Sequence, residues 1–227
     1  MSMQGSSGGR TAIVVANGAL PDLALFSRLL AAADVIVAAD GGGRALLQAG
    51  WRPAAILGDM DSLPPDLLAA WRADGGETLV VPPEKDETDL ELALHYVLQR
   101  GTRRIAVLGA LGGRVDHELA NLLLLAAPML DGIDAAVLDR RTRVVAVKDT
   151  VELTGRPGDL LSLLPVTASA MGIVTEGLKY RLDGDTLLLG PTRGVSNVFL
   201  QERIAVRIAA GVLLAIHTWP DDRPLAW

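Results

Sequence analysis

The sequence predicts an α/β protein in which a mostly parallel sheet with helices on both faces is followed by a β-sandwich. Three features predict it. Short β-branched apolar runs alternate with helix-period segments through the first part of the chain. After about Asp139 the helical period gives way to short strands at close spacing. Turn signals at Pro157-Gly158, Asp183-Gly184, Pro191 to Gly194 and Gly211 divide that tail into hairpin-sized pieces.

In chain order, Thr11 to Ala16, Val35 to Ala39, Ala54 to Leu57, Thr78 to Val81 and Arg104 to Leu108 are near-continuously apolar, as strands buried on both faces of a parallel sheet are. Pro21 to Ala33, Arg44 to Ala49, Pro64 to Ala73, Asp89 to Gln99 and His117 to Ala127 carry the helical pattern. This βαβα order predicts an open, Rossmann-like sheet. Val144 to Lys148, Asp159 to Leu164, Gly177 to Leu182 and Arg203 to Ile208 read as strands of the sandwich. The boundary falls near Arg140 to Asp149, which predicts a disordered Ser/Gly-rich lead over residues 1–10, an α/β domain over 11–143 and a β domain over 144–227.

With 227 residues, 50% of them hydrophobic, the chain has enough apolar material for a sizeable core. A net charge of -6 without any Lys/Arg cluster argues against a nucleic-acid partner. The longest apolar stretches, Leu122 to Leu130 and Ile204 to Ile216, are interrupted and fall short of the roughly 18 to 20 residues a membrane span needs, so no membrane partner is expected. Cysteine is absent, which excludes disulfides and thiolate chemistry and makes the cytoplasm the simplest location.

Five aspartates concentrate in three short segments at strand-to-helix boundaries, where α/β sheets gather ligand-binding loops. In Gly58-Asp59-Met60-Asp61-Ser62, alternation in an extended segment would turn Asp59 and Asp61 to one side, toward one hard cation such as Mg2+. A polar turn, with Asp61 or Ser62 capping the helix from near Pro64, accounts for the same residues. In Lys85-Asp86-Glu87-Thr88-Asp89, Thr88 to Glu91 fits a capping box and explains Asp89 as a first-turn acid, but leaves Lys85 and Asp86 for a phosphate-metal loop. In Gly109 to His117, Gly112 and Gly113 let backbone N–H groups approach phosphates, Arg114 offers positive charge, and Asp116 serves a metal or caps the next helix. Asp40-Gly41-Gly42-Gly43 follows the second strand, where glycines suit either close ligand approach or a tight strand-to-helix turn.

Ala39 to Gly42, the Gly58–Ser62 segment, the Lys85–Asp89 segment, Gly109 to His117, Gly177-Leu178-Lys179-Tyr180 and Gly194-Val195-Ser196-Asn197 resemble, in order, the signature of the thiamine pyrophosphokinase family. That resemblance covers nearly the whole chain after Arg10. It implies an α/β nucleotide-binding catalytic domain, a thiamine-binding β-sandwich, a homodimer, Mg2+ as cofactor, and transfer of the pyrophosphoryl group of ATP to the hydroxyl of thiamine with release of AMP. Carried over by motif, it implies that Asp59, Asp61 and Asp89 are catalytic and bind metal, and that Arg114 and Asp116 complete the catalytic site. It also implies nucleotide binding at Asp40, Gly41, Gly42, Lys85, Asp86, Thr88, Gly112 and Gly113, and thiamine contact at Ser196 and Asn197. Met60 departs from the family, which commonly has an aromatic residue there, and is expected to repack with little loss of chemistry. Trp219 and Trp227 are candidates for stacking on thiamine by residue type alone. The competing readings are an ADP-releasing kinase of another small alcohol and a non-catalytic nucleotide or thiamine sensor.

Overall fold

The computed structural model describes residues 9–20, 22–80 and 86–221. The chain is α/β with a separate antiparallel β region, and it clusters into two compact units. One runs to Gly113 and takes in Asp131–Asp134; the other comprises Arg114–Leu130 and the chain from Ala135 onward.

The first unit contains β1 (Arg10–Val15), a 3-10 turn at Leu23–Phe26, α1 (Ser27–Ala32), β2 (Val35–Ala39), α2 (Gly42–Gln48) and β3 (Ala55–Gly58). It continues through α3 (Pro65–Ala73), β4 (Glu77–Val80), α4 (Asp89–Leu98) and β5 (Thr102–Leu108). Its strands pair in the order β5-β1-β2-β3-β4, every pair parallel. Ala12 to Val15 at its centre are fully buried, the reason β1 reads as an unbroken apolar run; β4, expected to be buried likewise, lies at the sheet's edge with none of its residues buried and Val80 62% exposed. The chain steps from β1 to β4 in one direction and returns for β5 on the other side of β1. The order therefore reverses between β1 and β5, and in such sheets ligands bind at the carboxyl ends near that reversal.

The helix expected from Pro21 to Ala33 is divided. Asp22 accepts a hydrogen bond from Ala24 N at 2.9 Å and closes a 3-10 turn before α1 begins. Val81, expected to end β4, and Pro21 lie outside the described residues, as do residues 1–8 of the expected lead. Thr88 caps α4 as its sequence predicts, its hydroxyl accepting from Glu91 N at 3.2 Å.

The second unit contains α5 (Val115–Leu124), β6 (Asp134–Asp139), β7 (Thr142–Val147), β8 (Thr150–Thr154), β9 (Leu160–Pro165) and β10 (Ser169–Glu176). It ends with β11 (Asp183–Leu188), β12 (Asn197–Val198), β13 (Arg203–Arg207) and β14 (Leu213–Thr218). Two sets of antiparallel strands result, in the orders β12-β9-β14-β7-β6 and β11-β10-β13-β8.

Two local readings change. Gly177 to Leu182 is not a strand: Gly177 turns the chain at φ 78°, and the Tyr180 backbone is bonded by the Asn197 side chain instead of a neighbouring strand. Asp183-Gly184 is not a hairpin turn but lies within β11. There Asp183 and Asp185 pair with Val174 and Ile173, leaving Gly184 as the extra residue of a bulge at φ 79°. No helix among the described residues is long and apolar enough to cross a membrane.

The core of the second unit holds a polar pair. His217 Nε2 faces Asp159 Oδ2 at 2.9 Å with both side chains under 5% exposed, and Phe199 stacks on the imidazole at 4.6 Å. Arg156 N donates to the same carboxylate oxygen at 2.8 Å. His217→Ala leaves a buried carboxylate without its ring partner and is expected to destabilise the chain by about 3–5 kcal/mol. Urea unfolding of the purified variant measures it, and a loss below about 1 kcal/mol would show that the pair is not a stabilising contact.

Candidate active site

The candidate site lies at the carboxyl ends of β1, β2, β3 and β5. Asp40 is the first residue after β2 and turns the chain into α2 at φ 49°, a left-handed conformation that aspartate tolerates better than most residues. Its N–H donates to Leu57 O at 2.7 Å, extending the β2–β3 contact by one bond. Its carboxylate is held on both sides. Asn17 Nδ2 donates to Oδ2 at 2.6 Å and Ser62 Oγ to Oδ1 at 2.5 Å.

Asp59 and Asp61 follow β3 and come together by a route other than the expected extended alternation. Met60, buried, adopts φ 67°, so the segment curls, and Asp61 N donates to Asp59 Oδ1 at 3.1 Å. This is an Asx-type turn. The helix-capping alternative also falls away: the N-cap of α3 is Pro64, with no side-chain cap, and the Ser62 hydroxyl goes to Asp40. Carboxylate oxygens of Asp40, Asp59 and Asp61 all lie within 4.8 Å of one another.

That proximity has an electrostatic signature. A shared hydrogen bond with Asp59 and the Asp59 charge push the Asp61 carboxyl above the usual range, with lost hydration and the charges of Asp40 and Asp89 adding to the effect. An all-oxygen, carboxylate-rich set that repels itself is the donor chemistry a hard divalent cation takes. Asp89, in the first turn of α4, is near enough to act on Asp61 through its charge but is not one of the three that converge. Asp86 is exposed just before it, and Lys85 lies outside the described residues.

The glycines serve internal packing. A Cβ on Gly42 would fall 2.1 Å from Val15 O, and one on Gly41 would fall 1.9 Å from Asn17 Oδ1. Both let α2 start close against the end of β1. Likewise a Cβ on Gly112 (φ 80°) would meet the Ala19 Cβ at 2.4 Å, while Gly18 N donates to Gly109 O at 2.7 Å. These contacts join the loops after β1 and β5. Gly113 has only Gly18 Cα nearby, at 3.8 Å from its ideal Cβ, so the loop there is uncrowded.

Arg114 and Asp116 open α5 in the second unit and engage each other. Arg114 donates through its Nε and terminal nitrogen to the two Asp116 oxygens at 3.2 and 2.6 Å, which lowers the Asp116 pKa. Ser196, also in the second unit, stands exposed at φ 60°, and its N–H donates to Ser162 Oγ at 3.1 Å. Asn197 is buried and its amide is engaged with backbone: Oδ1 accepts from Tyr180 N and Val198 N, each at 2.9 Å, and Nδ2 donates to Tyr180 O at 2.7 Å. Beside this segment is a cavity of about 240 Å³ lined by Leu163, Tyr180, Arg193, Val195 and Asn197 among others. Trp219 is buried against the His217 ring, 5.0 Å between centroids, and Trp227 lies outside the described residues.

Sequence reasoning missed Asn17. Its signal was an Asn-Gly pair one residue beyond β1, which reads as an ordinary turn until Asp40 is seen to face it.

Two family profiles match this chain: "Thiamin pyrophosphokinase, catalytic domain" over residues 26–137 and "Thiamin pyrophosphokinase, vitamin B1 binding domain" over residues 148–213. A thiamine pyrophosphokinase from Bacillus subtilis (strain 168) is 28% identical over 192 residues, covering 80% of this chain and 86% of that protein. The crystal structure of thiamine pyrophosphokinase from Bacillus subtilis superposes with a TM-score of 0.81 at 26% identity, covering 93% of this chain and all of that one. Thiamin pyrophosphokinase from Geobacillus thermodenitrificans gives 0.79 at 28% identity over 95% of this chain and all of that one. Matched in both halves by profiles of one family and sharing its fold almost end to end, the chain belongs to the thiamin pyrophosphokinase family.

Proposed function

We propose that the chain is a thiamine pyrophosphokinase, converting ATP and thiamine to AMP and thiamine diphosphate. One observation carries the reading: Asp40, Asp59 and Asp61 converge at the carboxyl ends of a parallel sheet, in a chain that family profiles match on both sides. In this reaction the thiamine hydroxyl oxygen bonds to the β-phosphorus of ATP, the bond from that phosphorus to the α-phosphate oxygen breaks, and AMP departs. Such transfer needs alignment and charge neutralisation more than covalent catalysis.

The donor set fits Mg2+, and Asp40, Asp59 and Asp61 would hold it, with Asp89 adding negative potential beside them. When bound, the ion supplies neutralisation of phosphate charge. The chain's own part is to fix two of the three carboxylates, Asp40 through the Asn17 and Ser62 donors and Asp59 through the Asp61 N–H. Thr88, Asp86 and Lys85 are assigned to the nucleotide, as are the Gly112-Gly113 backbone and the Asp40–Gly42 turn. Arg114 is assigned to the transferring phosphates, with Asp116 holding its guanidinium.

The N-terminal sheet is read as Rossmann-like and the antiparallel unit as the thiamine-binding β-sandwich. Ser196 is assigned to thiamine, supported by an exposed side chain on strained backbone; Asn197 supports it by tying Tyr180 to the same segment. A homodimer is supported by α5. None of its residues is buried, and Val115, Leu119 and Leu123, four apart on one face, are 79%, 57% and 42% exposed.

Three outcomes are expected. Incubated with ATP, Mg2+ and thiamine, the wild-type chain yields AMP and thiamine diphosphate, and Asp61→Ala lowers the rate by roughly 100-fold or more; chromatographic detection of ADP in place of AMP would instead identify an ordinary kinase. Protonation of Asp61 is easier in the folded than in the unfolded chain, so its contribution to stability is complete below the usual carboxylate range and lost as pH rises through the raised value. Melting curves of the metal-free protein should therefore show Asp61→Asn gaining on wild type as pH rises from acid to neutral. A difference independent of pH would contradict the repulsion. Finally, light scattering should give a dimer for wild type and a monomer for Leu119→Glu/Leu123→Glu, and a dimer in both would remove α5 from the interface.

A further inference from the structure

We infer that Asn17 is a positioning residue for the cation site, acting through Asp40. The inference rests on the reading of Asp40, Asp59 and Asp61 as that site and adds to it a residue outside the acidic segments. An ionised carboxylate only accepts hydrogen bonds, so the Asn17 amide must turn its nitrogen toward Asp40, as it does at 2.6 Å. Ser62 Oγ occupies the other oxygen of the same carboxylate at 2.5 Å. Asp40 is thereby clamped from two sides, by the loop after β1 and by the loop after β3. Among the described residues neither Asp59 nor Asp61 is held in this way: the Asp61 backbone N–H donates to Asp59 Oδ1.

The second side of the Asn17 amide is fixed by shape. Its Oδ1 lies where a Cβ on Gly41 would be, 1.9 Å away, and its Cγ is 2.5 Å from the same point. Gly41, next to Asp40 in the chain, leaves room for the amide on that side. One side chain thus reads both the carboxylate and the backbone of the Asp40-Gly41 turn. The next residue, Gly18, donates its N–H to Gly109 O at 2.7 Å, so the loop that carries Asn17 is anchored to the loop after β5. The donor that orients Asp40 is itself set by the place where the strand order reverses.

Donors to metal-directed ligands typically affect metal affinity by about 10- to 100-fold when removed. The test titrates Mn2+ into the nucleotide-free protein and reads free Mn2+ by electron paramagnetic resonance, alongside the metal concentration for half-maximal turnover and the KM for thiamine. Asn17→Ala is expected to weaken Mn2+ binding and raise the half-maximal metal concentration by about 10-fold or more, leaving the thiamine KM unchanged. Gly41→Ala displaces the amide without removing it; with φ at -60° the backbone accepts the change, and a similar loss is expected. In the double variant the added Cβ meets no amide, so its loss should equal that of Asn17→Ala alone. Wild-type Mn2+ affinity in both single variants, or losses that multiply in the double variant, would overturn the assignment of Asn17. Wild-type protein that binds no more Mn2+ than Asp61→Ala overturns the cation site, and this inference with it.

Discussion

Three carboxylates brought within 4.8 Å of one another repel, and the first unit is arranged around opposing that repulsion. Its effect is visible in Asp61, whose proton is held more tightly because Asp59, Asp40 and Asp89 surround it. What counters it is backbone. Asp40 and Met60 both take left-handed conformations, each spending conformational energy to aim a carboxylate. Beneath them the fully buried centre of the parallel sheet sets where β2 and β3 end, and hence where the two turns stand. A site of this kind is stable because its scaffold is, with the hydrogen bonds that Asp40 and Asp59 accept offsetting part of the repulsion.

The glycines around the site are explained by close approach within the protein. Gly41 and Gly42 let α2 start against the end of β1, and Gly18, Gly109 and Gly112 let two loops touch at the reversal of strand order. A glycine-rich loop is often taken as a mark of phosphate binding, yet at four of these positions a Cβ would strike the chain itself at 2.4 Å or less. Packing therefore accounts for them without a ligand. The uncrowded Gly113 is the position in that loop where packing imposes least.

In the second unit, polar groups are used to fix structure. Asn197 replaces a strand partner for Tyr180, Asp159 and His217 meet in the core, and the Arg114 guanidinium is paired with Asp116 at the start of α5. Asn197, Arg114 and Asp116 stood out in the sequence as residues able to bind or catalyse. Side-chain hydrogen bonding is local geometry, and residue type alone does not distinguish a group turned outward to a ligand from one turned inward to its own backbone.

The sequence by itself determined the parallel strand set, because buried strands must be apolar throughout, and it determined the Thr88 cap, because capping depends on residues three apart. It also marked Asp59 and Asp61 as a pair, and the order of its motifs was sufficient to indicate the family. Tertiary structure decided the rest. It added Asp40 to the pair, sent Ser62 to Asp40 instead of to a helix cap, turned Asp183-Gly184 into a bulge, and brought Asn17 to the site from 23 residues away. Local patterns register what a residue does to its near neighbours in the chain. Which carboxylate meets which donor depends on strands that are adjacent only after the sheet has formed, and that adjacency is set by burial across the whole unit.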